Sequence, residues 1–117
     1  MLRIKRIYDE ADPKDGVRIL VDRLWPRGIS KERAHVDRWE KELAPSDELR
    51  RWFGHDPERW QEFRSRYEKE LEGQGELLRE ISAATAKGAV TLLYAAKDEE
   101  HNNAVALKEL IGKRGRK

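Results

Sequence analysis

Two short segments concentrate the side chains most able to do chemistry. The first, Asp22-Arg23-Leu24-Trp25-Pro26-Arg27-Gly28, sets a carboxylate, two guanidinium groups and an indole within six residues. Guanidinium forks grip anions, and an indole face stacks on flat or cationic groups. Arg23 and Arg27 are therefore candidate anion holders, Trp25 a stacking surface and Asp22 a proton carrier. The competing reading pairs Asp22 with Arg23, or with nearby backbone, and puts Trp25 in the core. The second segment is Lys97-Asp98-Glu99-Glu100-His101-Asn102-Asn103. Asp98 reads as the cap of a last helix, whose free N–H groups and positive end would then lie near Lys97, His101 and Asn102. Imidazole changes charge near neutral pH, which makes His101 a second candidate acid or base, although a histidine in a first helical turn also serves as a plain surface or capping residue. Asp98, Glu99 and Glu100 argue against a bare phosphate cradle.

The remaining chemistry is thinner. His55-Asp56 looks like half of a triad, but Asp56-Pro57 is better explained as a helix start, with an acceptor at the cap and proline in the first turn. His35, His55 and His101 show no metal-ligand spacing, so no metal is expected. Ser30 and Ser46 both read as helix caps, and neither sits in a nucleophile elbow. No glycine-rich phosphate loop or dinucleotide fingerprint is present, and no cofactor is expected. With no cysteine there is neither a disulfide nor a thiol nucleophile.

These segments need elements to position them. Leu2, Ile4 and Ile7 alternate with Arg3, Lys5 and Arg6 as in a strand with one polar face. Val17–Val21 and Ala89–Ala96 are near-continuous apolar runs of the kind that parallel strands buried on both faces display. A long helical stretch separates the two, as parallel neighbours require. Within it, Ser30 caps a helix to about Ala34 and Ser46 caps Asp47–Phe53, which ends at Gly54. Trp60, Phe63, Tyr67 and Leu71 then form an apolar helical stripe. Leu77, Leu78 and Ile81 mark another helix that stops by Gly88, and Ala104, Leu107 and Ile111 mark the last. Val36, Trp39 and Leu43 point inward from a less regular stretch. The connector Asp9–Gly16 is too short for a helical crossover, so the direction of the first strand stays open. The expected fold is a small three-layer α/β domain, with a short, mainly parallel sheet flanked by helices. In such sheets ligands sit outside the carboxyl ends of the strands, where both polar segments emerge.

The chain has 117 residues, room for one core, here assigned to residues 1–112 with a basic flexible tail at 113–117. Its 25 basic and 23 acidic residues leave a net charge of +2 and alternate in sign, which marks solvated helix faces rather than a one-signed nucleic-acid stripe. No apolar run reaches the ~20 residues of a membrane span and no signal-peptide pattern opens the chain, so the cytoplasm is the expected location.

Val21–Gly28, Leu43-Ala44-Pro45-Ser46 with Leu49-Arg50 and Trp52-Phe53, and Thr91–Asp98 with His101-Asn102 together resemble the YeaO-like group of the DUF488 family of uncharacterised bacterial proteins. The resemblance runs from about Leu2 to Ile111 and implies a compact α/β fold with a parallel sheet. It implies no reaction. The broader family carries a Cys-His-Arg-type motif after one strand. Here His101-Asn102 stands near that place without a cysteine, so no thiol-dependent role carries over.

The residues thus point to an enzyme or ligand-binding protein for a small anionic, nucleotide- or phosphate-like molecule. The alternatives are a nucleic-acid-binding module using Arg23, Arg27, Arg50, Arg51 and the basic tail, or an interaction protein presenting Trp39, Trp52 and Trp60. The oligomeric state is not readable.

Overall fold

The computed structural model describes residues 1–114. Four parallel strands form one sheet in the order β1-β4-β2-β3: β1 (Leu2–Arg6), β2 (Val17–Leu20), β3 (Arg38–Trp39) and β4 (Val90–Tyr94). The helices are α1 (Lys31–Ala34), α2 (Asp47–Phe53), α3 (Trp60–Glu70), α4 (Gly75–Lys87) and α5 (Asn103–Arg114). All five residues of β4 are buried, as expected of a strand paired on both edges and covered on both faces.

Side-chain alternation divides the core in two. Ile19, Val21, Val90, Leu92 and Tyr94 face a large cluster completed by Leu49, Phe53, Phe63, Tyr67, Leu78, Ile81 and Leu107 from the helices. Ile7, Leu20 and Leu93 face the other side, where Ala34 closes a smaller cluster bordered by Trp25, Ile29, Val36 and Trp39. Helices thus cover both faces, one thickly and one with only α1 and loops. No helix among the described residues is long and apolar enough to cross a membrane.

The local signals match the helix starts closely, with one exception discussed below. Ser30 Oγ accepts from Arg33 N–H, Ser46 Oγ from Leu49 N–H, and Asp56 from Glu58 N–H. Gly54 ends α2 with φ +52°. Asp56-Pro57 opens with a 3-10 turn, Pro57–Arg59, before α3 begins. The irregular stretch after α1 contains a strand too short for periodicity to reveal, since β3 pairs only Arg38 and Trp39 with Ile19 and Leu20. Helix α5 continues through Lys113 and Arg114, past the expected start of the tail. Positions 115–117 of that tail lie outside the described residues.

The first strand runs parallel to β4, although its connection to β2 holds no α-helix. The chain returns through a 3-10 turn at Pro13–Asp15, locked by Asp12 and Asp15 capping each other's backbone. Gly16 then crosses so close to Ala89 that a β-carbon would lie 2.0 Å from its carbonyl oxygen, and its φ is +67°. A buried ion pair fastens this connector. Arg18 Nη1 lies 2.5 Å from Asp15 Oδ2, with Lys5 Nζ 3.1 Å away on the other side. Arg18 also donates to the carbonyls of Ala34 and His35, and Thr91 Oγ1 donates to the Asp15 carbonyl at 2.7 Å.

Burial works to raise the Asp15 carboxyl, but the Asp12 N–H, Lys5 and Arg18 together hold it below its ordinary value. A depressed carboxyl contributes stability above its unfolded value, which is lost as pH falls through the folded one. Arg18→Met leaves Asp15 buried with half its counter-charge gone. It is expected to cost about 3–5 kcal/mol in urea unfolding and to shrink the acid-side fall in stability. A loss below ~1 kcal/mol would mean the pair contributes nothing net.

Candidate functional site

The chain leaving β2 passes through Asp22–Ile29 into α1 on the thinly covered face, whereas the chain leaving β4 turns into α5 on the opposite face. Neighbouring parallel strands whose continuations part in this way open a crevice at their carboxyl ends. Here the crevice is a cleft of about 730 Å³. One wall is Asp22–Arg27, another Ala95–Asp98 with His101–Asn103, and the third comes from the helical layer: Ala44, Pro45, Arg50, Phe53, His55 and Phe63. Its volume lies in the range typical of small-molecule sites, ~300–1,000 Å³.

All seven residues singled out from the sequence, Asp22, Arg23, Trp25, Arg27, Lys97, His101 and Asn102, line this cleft. Their individual states differ. Asp22 Oδ2 accepts from Ala95 N–H at 3.0 Å, and its Oδ1 accepts from Asn103 Nδ2 at 3.0 Å. Burial pushes its carboxyl above the ordinary value against these two hydrogen bonds. It makes no ion pair with Arg23, contrary to the simplest structural reading. Arg23 instead leans on the Ala44 and Pro45 carbonyls through long contacts of 3.3–3.4 Å, and no partner takes its Nη1.

Among the described residues, the side chains of Arg27 and Lys97 have no hydrogen-bond or ion-pair partner, and both are exposed. Trp25 satisfies part of each reading. Its indole N–H donates to the Ile29 carbonyl at 2.8 Å and its ring meets Trp39 edge-on at 5.5 Å, while the half-buried side chain also borders the cleft.

The second segment needs a correction. Asp98 does not cap α5. It closes the preceding turn, accepting from the N–H groups of Glu100 and His101, and these bonds hold its carboxyl below the ordinary value. The cap of α5 is Asn102, whose Oδ1 accepts from Val105 N–H at 2.9 Å and whose Nδ2 donates to the Asp98 carbonyl at 2.9 Å. Asn102 is buried, and these bonds commit both ends of its amide to the backbone, so it shapes the cleft wall. His101 therefore lies before the helix and not in its first turn. Its Nδ1 sits 3.0 Å from Asp98 Oδ2 and its ring packs edge-on against Trp60, with no partner for Nε2 among the described residues.

Two cleft residues were undervalued in the sequence. Arg50 reaches the cleft from α2 and, among the described residues, pairs only with Asp47, at 3.5 Å on the surface. His55 enters from the α2–α3 turn with φ +57°, beside Gly54 at +52°. A left-handed histidine costs ~1–2 kcal/mol relative to ordinary backbone, an observed outlier of the kind that collects at functional sites. The available signal was the Leu49-Arg50 and Trp52-Phe53 block that carried the family resemblance. Trp39, Trp52 and Trp60, the basis of an interaction surface, are each partly buried, and Trp52 lies beneath the guanidinium groups of Arg59 and Arg66. No cluster of three metal-ligating side chains occurs among the described residues.

A single parallel α/β sheet with a polar crevice at its switch point defines the class of protein. Within that class the chain belongs to the DUF488-N3i family, described as the inactive DUF488-N3 subclade, whose model matches residues 1–116. It is 44% identical to the uncharacterised protein YeaO of Escherichia coli over 113 residues, covering 94% of this chain and 96% of that one. It is 42% identical to uncharacterised proteins of Mycobacterium tuberculosis and Mycobacterium bovis over 113 residues, covering 97% of this chain and 95% of each of theirs. No solved structure matches it.

Moving the cap from Asp98 to Asn102 has a measurable consequence. Asn102→Ala is expected to cost about 1–2 kcal/mol, the upper range for a cap, because it also strips the Asp98 carbonyl of its donor. Asp98→Ala should cost less, on the order of 0.5–1 kcal/mol, since its bonds close only an exposed turn. Thermal unfolding of both variants checks the order, and a larger loss for Asp98→Ala would restore it as the cap.

Proposed function

We propose that this protein is a receptor for a small anionic organic molecule, held in the strand-end cleft without being turned over. The observation that carries the reading is an imbalance of charge. Among the described residues Arg23, Arg27 and Lys97 enter the cleft without a carboxylate partner, whereas the two carboxylates that line it, Asp22 and Asp98, each accept hydrogen bonds from protein N–H groups, so the cleft carries more cation than anion. Charge-assisted hydrogen bonds from such groups to phosphate or carboxylate are among the strongest single contacts a cleft can offer. Phe53, Phe63, Leu24 and Trp25 give the anion's organic part an apolar lining.

Binding without turnover is favoured over catalysis on two grounds. Among the described residues no serine, threonine, cysteine or tyrosine lines the cleft, so no attacking hydroxyl or thiol is supplied by them. The description of the family as an inactive subclade accords with this. Asp22 and His101 keep the capacity to hold protons, and in this reading they orient a ligand and break no bond of it.

The test is calorimetric titration with nucleoside monophosphates, sugar phosphates and small dicarboxylates. At least one should bind, and Arg23→Ala or Arg27→Ala should weaken it about tenfold or more, the worth of one charge-assisted bond. Silence from all three classes in the folded protein would overturn the reading. So would binding only to single-stranded oligonucleotides with a steep salt slope, which would return weight to a nucleic-acid interface.

A further inference from the structure

Of the two carboxylates in this cationic cleft, Asp22 is the more deeply set, and its hydrogen bonding is half complete. An ionised carboxylate offers about four lone-pair positions. Ala95 N–H occupies one on Oδ2 and Asn103 Nδ2 one on Oδ1. One acceptor position therefore remains on each oxygen, and no other protein donor reaches them among the described residues. The nearest guanidinium in sequence, Arg23, turns its Nε and Nη2 to the Ala44 and Pro45 carbonyls and not to Asp22. A desolvated carboxylate with an acceptor position free on each oxygen is complementary to a group that shows two parallel N–H donors.

Resting on the anion-receptor reading, we propose that the ligand is a guanine nucleotide, whose ring N–H and neighbouring amino group pair with both oxygens of Asp22 while its phosphate meets the free cations. A guanidinium or amidine ligand also shows two parallel donors. However, its positive charge would be opposed by Arg23, Arg27, Arg50 and Lys97, which share the cleft. A flat neutral ring suits the aromatic lining, and an acidic tail satisfies the cations. Adenine presents a bare ring nitrogen where guanine has N–H, so it would set lone pairs against lone pairs. Hypoxanthine keeps the ring N–H but lacks the amino group. Sites that hydrogen-bond a substrate donor through buried polar groups discriminate strongly against analogues lacking it.

Calorimetric titration of the whole protein with GMP, IMP, AMP and ribose 5-phosphate separates the possibilities. GMP should bind tightest, with IMP about tenfold weaker and AMP weaker again by a similar factor. Asp22→Asn should bring GMP and IMP to within about twofold of each other. The readout is the GMP-to-IMP ratio, because a slackened cleft lowers both nucleotides and ribose 5-phosphate alike, whereas loss of the guanine pairing lowers GMP alone; a ratio unchanged in Asp22→Asn overturns the assignment. Equal affinity for GMP, IMP and AMP overturns the guanine assignment and leaves the anion receptor standing. So does ribose 5-phosphate binding with all three nucleotides excluded. No heat from any of the four, and none from other phosphates or dicarboxylates, removes both readings together.

Discussion

The architecture of the cleft depends on one carboxylate. Where the hydrogen-bond ladder between β2 and β4 runs out, Asp22 carries it one step further through its side chain, taking the Ala95 N–H that the backbone of β2 no longer reaches. Its second oxygen takes Asn103, the first residue of α5, and Asn103 Nδ2 also donates to the Val21 carbonyl at 2.9 Å. Two strand ends and a helix start are thereby joined at one point. Because this tie lies between segments that diverge to opposite faces of the sheet, it holds the crevice open at a fixed width. The cost is a carboxylate placed in a poorly solvated position, seen in its raised protonation range.

A second polar cluster does similar work at the opposite end of the strands. Lys5, Asp15 and Arg18 replace the helix that a parallel connection ordinarily uses to cover a sheet face. The connector's own backbone then packs against β4 through Gly16 and the Thr91 hydroxyl. Both ends of the sheet are thus organised by a charged side chain withdrawn from water. The carboxyl end opens into the cleft of about 730 Å³ described above.

Much of this was legible in the residues. The apolar runs around Ile19 and Leu92 identified the parallel strands because burial on both faces leaves an unbroken pattern. Ser30, Ser46, Asp56 and Gly54 marked helix ends because capping chemistry is local. What escaped depends on contacts distant in sequence. Arg18 interrupts an apolar run, and only the fold shows that Asp15 neutralises it inside. β3 is two residues long and exists because β2 offers it an edge. Choosing between Asp98 and Asn102 as the cap required knowing where the chain turns after β4, which local preference left open, since both residue types cap well. The cleft residues were found through strand-end geometry. Arg50 and His55 were passed over because they reach the same space from the helical layer, far along the chain.

The placement of β4 between β1 and β2 bears on how the chain is made. Both N-terminal strands take their longest pairing from a segment in the last quarter of the sequence. During synthesis they must wait, with only the two-residue β3 available as an earlier partner. Sheets closed by such distant segments form slowly, and their waiting edges are exposed to other chains. Arg3 and Lys5 in β1 and Arg18 in β2 put three positive charges on one face of those strands. Charged side chains on strands with open edges disfavour edge-to-edge pairing between chains. Once β4 arrives, Asp15 neutralises two of the three, so residues that disfavour premature pairing in the growing chain become part of the lock that ends the wait.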